Sequence, residues 1–551
     1  MNASPRPHQV TARTLSELVS AVEGLTALPD ALSPHAVTGV TLDSRAVRPG
    51  DLYAALPGAN VHGATFAAQA LDSGAVAILT DRAGADLIAV AGASCPVLLA
   101  DDPRGLLGAV AAVIYDQPAT RLVMLGITGT NGKTTTAYLL ESALTQLGRT
   151  PGLIGTIETR IGTERVPSVR TTPEASDLHG LLALMAERGC DCCCMEVSSH
   201  ALALHRVDGV GYDVAIFTNL SQDHLDFHSD MAEYFAAKAA LFTPERARQA
   251  VVCIDDEWGR RLAATAAIPV ATVANASAEV DADWTIEPPL DGAGGEPDDS
   301  GSSGGLRLRH RDGAQLWAAV ALPGAHNVTN TALAAVTLLQ LGYPPEQVAA
   351  AFDVPAHVPG RMQRVQLEQS ADGLLPPQVF VDFAHTPEAV AATLSALRDQ
   401  QRGRPGGPGR PAQPGPLVAV LGAGGDRDPG KRPHMGAAAA RVADIVIVTD
   451  DNPRHEDPVA IRAALASGAR EVAERGAVHD VPGRAEAIAL ALWLASGAAD
   501  GSRAAGTVAV LGKGHETGQT IGDVTAPYDD ASATRRGWEQ LVPAHAAQEH
   551  S

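Results

Sequence analysis

Short apolar runs alternate with amphipathic stretches along most of the chain. RLVMLGIT at 121–128, DVAIFTNL at 213–220, VVCID at 251–255, QVFVDFA at 378–384, LVAVLG at 417–422 and DIVIVTD at 444–450 have the length and β-branched content of buried strands. After the first of them, TTTAYLLESALTQLG sets Leu139, Leu140, Leu144 and Leu147 on one inward side and stops at Gly148, which predicts a helix. Repeated strand–helix alternation predicts parallel sheets flanked by helices, an α/β architecture that binds ligands at its strand ends.

Glycine and proline interrupt this pattern. EPPLDGAGGEPDDSGSSGG near 287–305 and QRGRPGGPGRPAQPGP at 401–416 hold too little apolar content to pack and read as solvated insertions. With 551 residues the chain is too long for one ordinary core. Domains are expected at about 1–118, 119–356 and 357–551, the second boundary falling in DVPAHVPG. No fixed-period repeat marks a solenoid or propeller. No apolar stretch approaches the roughly 20 residues of a membrane span, and the amino-terminal MNASPRPHQVTARTLSEL lacks the features of a secretory signal, so a cytoplasmic, non-membrane protein is expected.

Charge and cysteine narrow the chemistry. A net charge of −22 disfavours a nucleic-acid partner. Cys190, Cys192, Cys193 and Cys194 would point to alternate faces of a strand, which suits small apolar residues in a reduced compartment better than a metal cage. Only four lysines, Lys133, Lys238, Lys431 and Lys513, stand against thirty-seven arginines. A surface cation can be either residue. Lysine alone is compact and able to lose its proton, so the four are expected to mark positions arginine cannot serve, the plainer alternative being four chance survivors.

GITGTNGKTTT at 126–136 joins an apolar strand to a helix. Gly129 and Gly132 let the amides of Thr130, Asn131 and their neighbours converge on phosphate oxygens, Lys133 reaches the terminal phosphates, and Thr134 can ligate Mg²⁺, with Thr135 beside it. Five residues rather than four separate Gly126 from Gly132, so this is a variant phosphate loop. It points to a nucleoside triphosphate and says nothing of the acceptor.

Further motifs occur in order: TLDSR at 41–45, MEVSSHAL at 195–202, TNLSQDHLDFH at 218–228, YFAAKAALF at 234–242, GAHNVTN at 324–330, GRMQRV at 360–365, VDFAHTPEAV at 381–390, GAGGDRDPGKRP at 422–433, DNPR at 451–454 and GKGHE at 512–516. Together they resemble the Mur ligase family of bacterial cell-wall synthesis, over nearly the whole chain. The resemblance implies three domains: one for the UDP-sugar, a central P-loop-type parallel sheet for ATP, and a C-terminal Rossmann-like α/β domain for an amino acid. It implies ATP-dependent amide-bond formation. The carboxylate of UDP-MurNAc-L-Ala-D-Glu would take the γ-phosphate as an acyl phosphate, and the amine of meso-diaminopimelate would displace it. The partners are then small molecules and the protein a monomer.

The resemblance carries over residue by residue. Thr134, Glu196, His224 and Lys238 match Mg²⁺ positions, Lys238 as a CO₂-derived carbamate. Lys133, His224 and Lys238 match the catalytic set. Asn327, Asn330, Arg361 and Asp382 match positions near the nucleotide. Leu42, Ser44, Ala59, Asn60 and Val61 match UDP-sugar contacts, and Thr171, Thr172, Ser198, Leu204 and Arg206 match the peptide site, with Leu204 standing where some relatives have glutamine. Arg427, Asp451, Asn452, Pro453, Arg454, Gly512 and Glu516 match the diaminopimelate site, Arg454 reading its far carboxylate. Plainer alternatives stand beside these: Glu196 as a surface charge, Lys238 as a snorkelling lysine, Asn327 as a cap, Arg454 as a solvated turn residue. Two other functions also remain open, an L-lysine-adding relative and a folylpolyglutamate-type ligase, as does a non-catalytic nucleotide binder.

Overall fold

The computed structural model describes residues 5–28, 36–92, 94–225, 227–287, 305–368, 375–402, 415–473, 477–496 and 505–549, with side chains to residue 541. Both expected insertions, 287–305 and 401–416, lie almost wholly outside the described residues. The chain divides into two compact units, one of Met1–Pro288, Arg307–Ala318 and Asn330–Val354, the other of Pro289–Leu306, Ala319–Thr329 and Pro355–Ser551.

Two sheets organise the first unit. A five-stranded sheet runs Thr26–Ala27, Val97–Leu99, Ala77–Thr80, Asp51–Ala54, Gly39–Thr41 in space, the last four parallel. An eleven-stranded sheet has Val123–Thr128 inside it, parallel to Cys192–Glu196 on one side and Tyr212–Phe217 on the other. These strands are buried on both faces, which is why they read as unbroken apolar runs. Cys192, Cys193 and Cys194 belong to such a strand, with Cys190 just before it: Cys193 and Met195 pack with Leu178, Leu182 and Met185 of the helix Ala175–Glu187, and the cysteines are unbridged. On the helix Lys133–Gln146, Leu139, Leu140 and Leu144 are buried as expected. Leu147 is only half-buried, because the helix ends one residue before it.

The second unit carries a six-stranded sheet, in spatial order Gln363–Val365, Gln378–Asp382, Thr507–Leu511, Leu417–Leu421, Ile445–Val448, Ala477–Asp480, parallel except for the first. The late strand Thr507–Leu511 is inserted between two early ones, so chain direction across the sheet reverses there. Residues at the carboxyl ends of these strands are thereby gathered beside a switch point, the usual place for a ligand in such sheets. Among the described residues no helix is long and apolar enough to cross a membrane.

Candidate active site

In the first unit the strand Val123–Thr128 delivers the chain into Gly129, Thr130, Asn131 and Gly132, and Lys133 opens the helix. Gly129 (φ +143°) and Gly132 (φ +89°) take backbone conformations that side chains resist, and a Cβ would strike the Thr218 hydroxyl at the first and the Asn330 amide at the second. Gly132 gives the helix no side-chain cap, and a helix N-terminus is where main-chain N–H groups favour an anion. The Lys133 ammonium curls back onto the carbonyls of Gly129 and Thr130, at 2.9 Å each.

A second loop clamps this one. The Asn131 N–H donates to Asn219 Oδ1 at 3.0 Å, while Asn219 Nδ2 and Thr218 Oγ1 donate to the Asn131 carbonyl at 3.1 and 2.6 Å. The Ser221 N–H donates to Thr130 Oγ1 at 3.0 Å, and Thr130 Oγ1 lies 3.2 Å from the Tyr234 hydroxyl. The phosphate loop is thus held in shape by the segment 218–221, at the carboxyl end of the strand Tyr212–Phe217.

Glu196 ends the strand next door and is 1% exposed, which excludes a surface charge. Thr134 donates to its Oε2 at 2.9 Å, the Thr156 N–H to Oε1 at 2.8 Å and the Thr156 hydroxyl to Oε2 at 3.1 Å. Thr134 and Glu196 therefore offer two hard oxygen donors at the loop's edge, a donor set that fits Mg²⁺. Lys238, on the helix Met231–Ala239, is also 1% exposed, so it does not snorkel. Its Nζ donates to the Gly129 carbonyl at 2.8 Å and lies 4.6 Å over the Tyr234 ring. Burial, and then the charge of Lys133, pushes its pKa well below the ordinary lysine value against the pull of Asp223. His224 sits half-buried with a left-handed backbone (φ 54°). Burial pushes its imidazole down to about 4, Asp223 opposing and Lys133, His200 and Lys238 adding to the fall. The structure thus joins Thr134 to Glu196 and Lys238 to the loop, with His224 in electrostatic reach of both lysines. Among the described residues no group of three or more His, Cys, Asp or Glu is placed to hold a metal ion by itself.

The residues expected at the peptide site lie close by in the same unit. Thr172 donates to the Glu196 carbonyl at 2.9 Å and accepts from the Ser198 N–H at 3.1 Å, and Thr171 lies 3.0 Å from Thr156 Oγ1. Leu204 is half-buried at the end of Ser199–Ala203, where its N–H caps the helix on the His200 carbonyl. Arg206 Nε lies 3.0 Å from Glu174, which also pairs with Arg170 and, at 3.4 Å, with Arg104. Burial holds the Arg206 guanidinium below its ordinary value, Glu174 opposing and the other two arginines reinforcing. In the amino-terminal sheet, Ser44 is buried and donates to Gln69 at 3.4 Å, Leu42 is partly buried, and Ala59, Asn60 and Val61 form an exposed bend.

The remaining candidates belong to the second unit. Asp382 ends a strand and accepts from the N–H groups of Met362 and Ala384, at 2.7 and 2.9 Å, and from Thr393. The Arg361 guanidinium covers the Phe383 ring at 4.6 Å, and Asn327 Nδ2 donates to the Pro323 carbonyl at 2.8 Å. At the switch point Asp451, Asn452 and Pro453 are buried, and Arg454 sits at φ 51° with its guanidinium on the Gly425 carbonyl at 2.6 Å. It is not a loose turn residue: the hairpin Gly518–Ile521/Val524–Pro527 grips its backbone through Thr520 and Gly522. Gly512 (φ +111°) has no room for a Cβ beside Asp451. Asn452 Nδ2 donates to Glu516 at 2.7 Å, and Lys513 reaches both. Arg427 is exposed, with only its Asp426 carbonyl contact at 3.4 Å among the described residues.

Sequence reasoning missed several participants. Thr156 has no motif to announce it. Asn219 lies in a quoted motif and Glu174 two residues after Thr172, yet their clamp and triple-arginine contacts depend on residues up to 88 positions away. Lys513 was visible as a rare lysine, its partners were not.

Three family models match: "Mur ligase family, catalytic domain" at residues 36–115, "Mur ligase middle domain" at 127–338 and "Mur ligase, glutamate ligase domain" at 360–514. The chain is 48% identical over 538 residues (97% of it, 98% of the relative) to the UDP-N-acetylmuramoyl-L-alanyl-D-glutamate--2,6-diaminopimelate ligase of Streptomyces avermitilis. It is 48% identical to the protein of the same name from Streptomyces coelicolor, over 96% of this chain and 97% of that one. A solved structure of a ligase of that name superposes with a TM-score of 0.63 at 27% identity, covering 96% of this chain and 99% of the other.

Proposed function

The chain belongs to the Mur ligase family, and on that premise we propose that it joins meso-2,6-diaminopimelate to the D-glutamate of UDP-MurNAc-L-Ala-D-Glu at the expense of ATP. A carboxylate is a poor electrophile, so the reaction is split. A carboxylate oxygen attacks the γ-phosphorus and ADP leaves. The amine then attacks the acyl carbon, phosphate departs, and the amine proton passes to solvent or a nearby base. Loose phosphoryl-transfer transition states need positioning and positive charge rather than covalent help.

Each group has its task. The amides of Gly129 to Thr135 and the Lys133 ammonium hold the phosphates. Thr134 and Glu196 would hold Mg²⁺, which when bound neutralises phosphate charge. Lys238, buried and easily deprotonated, is suited to react with CO₂ as a neutral amine and present a carbamate, and His224 stays neutral at pH 7 beside it. Thr171, Thr172, Ser198 and Arg206 would hold the peptide, with Leu204 offering only backbone or packing. Leu42, Ser44 and the bend at 59–61 would take the UDP-sugar. Asn327, Arg361 and Asp382 are assigned to base and ribose, though Asn327 and Asp382 already bond the backbone. Arg454 would grasp the far carboxylate of diaminopimelate and Glu516 its ammonium.

The observation that carries the proposal is the buried Glu196–Thr134 contact at the phosphate loop, in a chain alike end to end to proteins bearing that ligase name. Relatives adding L-lysine or glutamate to folate are not favoured by those names. Phosphate release with ATP, Mg²⁺ and UDP-MurNAc-L-Ala-D-Glu should depend on diaminopimelate and be far slower with L-lysine. Equal use of the two amino acids would refute the choice of substrate, and no release with either would refute the ligase itself. Depleting bicarbonate at fixed pH should lower turnover and restoring it should recover it; indifference to bicarbonate would remove the carbamate.

A further inference from the structure

Beneath the Asn452–Glu516 pair lies a line of alternating charges confined to the second unit. Asp530 takes a two-pronged bond from Arg484 at 2.7 and 2.8 Å. Arg484 NH1 stands 3.9 Å from Asp451, and Asp451 3.8 Å from the Lys513 ammonium. Lys513 ends the line on Glu516 Oε2 at 3.2 Å and Asn452 Oδ1 at 3.1 Å. Arg484, Asp530 and Lys513 are fully buried, whereas the Glu516 side chain is 34% exposed. Only the last carboxylate faces the solvent.

The hydrogen bonds leave little freedom to the two outer residues. Asn452 Oδ1 accepts from Lys513 and from the Thr520 N–H at 2.9 Å. With two donors on its oxygen, the amide must turn Nδ2 toward Glu516, where it is seen at 2.7 Å. Glu516 Oε2 thus holds two donors, and among the described residues Oε1 holds none. Buried arginine serves the inner, bidentate position at Asp530. A compact ammonium serves the outer one, where three acceptors surround a single point. Lys513 therefore survives in this lysine-poor chain at a place that a planar guanidinium does not fit.

We propose that Lys513 is a positioning residue that sets Asn452 and Glu516, and through them the preference for an amino acid whose far end carries both an ammonium and a carboxylate. Held by Lys513, Glu516 turns one oxygen to the incoming ammonium while Arg454 takes the carboxylate. Without Lys513, Asn452 can rotate, and Glu516 loses the cation that fixes it. Lys513 is 0% exposed and holds Asn452 and Glu516 directly, so it acts on the amino acid through them. The proposal rests on the diaminopimelate assignment above.

Lys513→Met in the full chain tests it. The KM for diaminopimelate should rise about 10- to 100-fold, the scale of a lost hydrogen bond to a charged group, with kcat at saturating diaminopimelate and the KM values for ATP and UDP-MurNAc-dipeptide within about threefold. Lys513→Arg should fail alike. If any buried cation sufficed, Arg would restore the wild-type KM, and the proposal would be overturned. Should Lys513→Met fold poorly, the double variant Lys513→Met/Glu516→Gln decides, because it removes the Lys513–Glu516 pair together and leaves Asp451 its Arg484 contact. Its KM should match that of Glu516→Gln alone; a further loss of about tenfold would sink the coupling. Wild-type protein that ignores diaminopimelate defeats the substrate assignment itself, whereas wild type using it with an unaltered KM in Lys513→Met defeats only the role of Lys513.

Discussion

At Lys238, keeping the charge should do more harm than removing it. The ammonium is buried and its hydrogen-bond partner is a neutral carbonyl, Gly129 O at 2.8 Å. Burial and Lys133 already push it well below its ordinary value, so lysine can shed its proton there. Arginine cannot. Lys238→Met keeps most of the aliphatic packing and gives up one hydrogen bond, roughly 1 kcal/mol; the Gly129 carbonyl still accepts from Lys133 at 2.9 Å. Lys238→Arg places a permanent charge in the same space without a carboxylate partner, at about 3–5 kcal/mol. A gap of about 2–4 kcal/mol corresponds to the Arg variant melting roughly 5–15 °C below the Met variant for a domain of this size. Thermal melting of the three proteins at neutral pH measures it. Both variants should release no phosphate, yet bind a labelled ATP analogue at low temperature. An Arg variant that melts with the wild type, or turns over normally, would refute both the unpaired burial and the carbamate.

Three further outcomes are expected. Asn219→Ala removes the acceptor of the Asn131 N–H and one of the two donors to its carbonyl, so kcat/KM for ATP should fall about tenfold or more while the KM for the amino acid holds; steady-state kinetics with each substrate varied checks this, and an unchanged ATP parameter contradicts the clamp. Glu174→Gln leaves Arg104, Arg170 and Arg206 facing one another, so the melting temperature should drop, and the drop should shrink in about 0.5 M salt as repulsion is screened; a salt-independent loss would point to packing instead. His455 bridges Asp426 at 2.9 Å and Asp523 at 3.2 Å, and those carboxylates raise its pKa. A raised histidine stabilises fully below its unfolded value, near 6.5, and loses that contribution as pH rises through the folded one, so the melting advantage of wild type over His455→Ala should fade from about pH 6.5 upward. An advantage constant with pH would show that His455 does not titrate against those acids.

Much of this arrangement was legible in the chain because it is local. Strands buried on both faces announce themselves as apolar runs, and the Gly129–Thr134 segment carries its chemistry in six consecutive residues. The burial of Lys238 could be anticipated from YFAAKAALF, since its neighbours on the helix are apolar. Partnerships across sequence were not legible. Glu174 collects arginines from 70 residues before it to 32 after, and Lys513 meets Asn452 across 61. Such contacts are fixed by strand order, here by the insertion of Thr507–Leu511 between earlier strands. Leu147 failed for a smaller reason: helical periodicity extends past the point where the helix ends.

The burial of the lysines also sets how the folded protein meets reagents aimed at primary amines. Lys238 and Lys513 are sealed at 1% and 0% exposure, and Lys133 folds its amine onto two carbonyls. Lys431, half-buried at the start of its helix, is the side chain best able to react with an active ester or an aldehyde. Among the four lysine side chains, coupling of a bead or a fluorescent label would therefore favour Lys431 over Lys238 and Lys513.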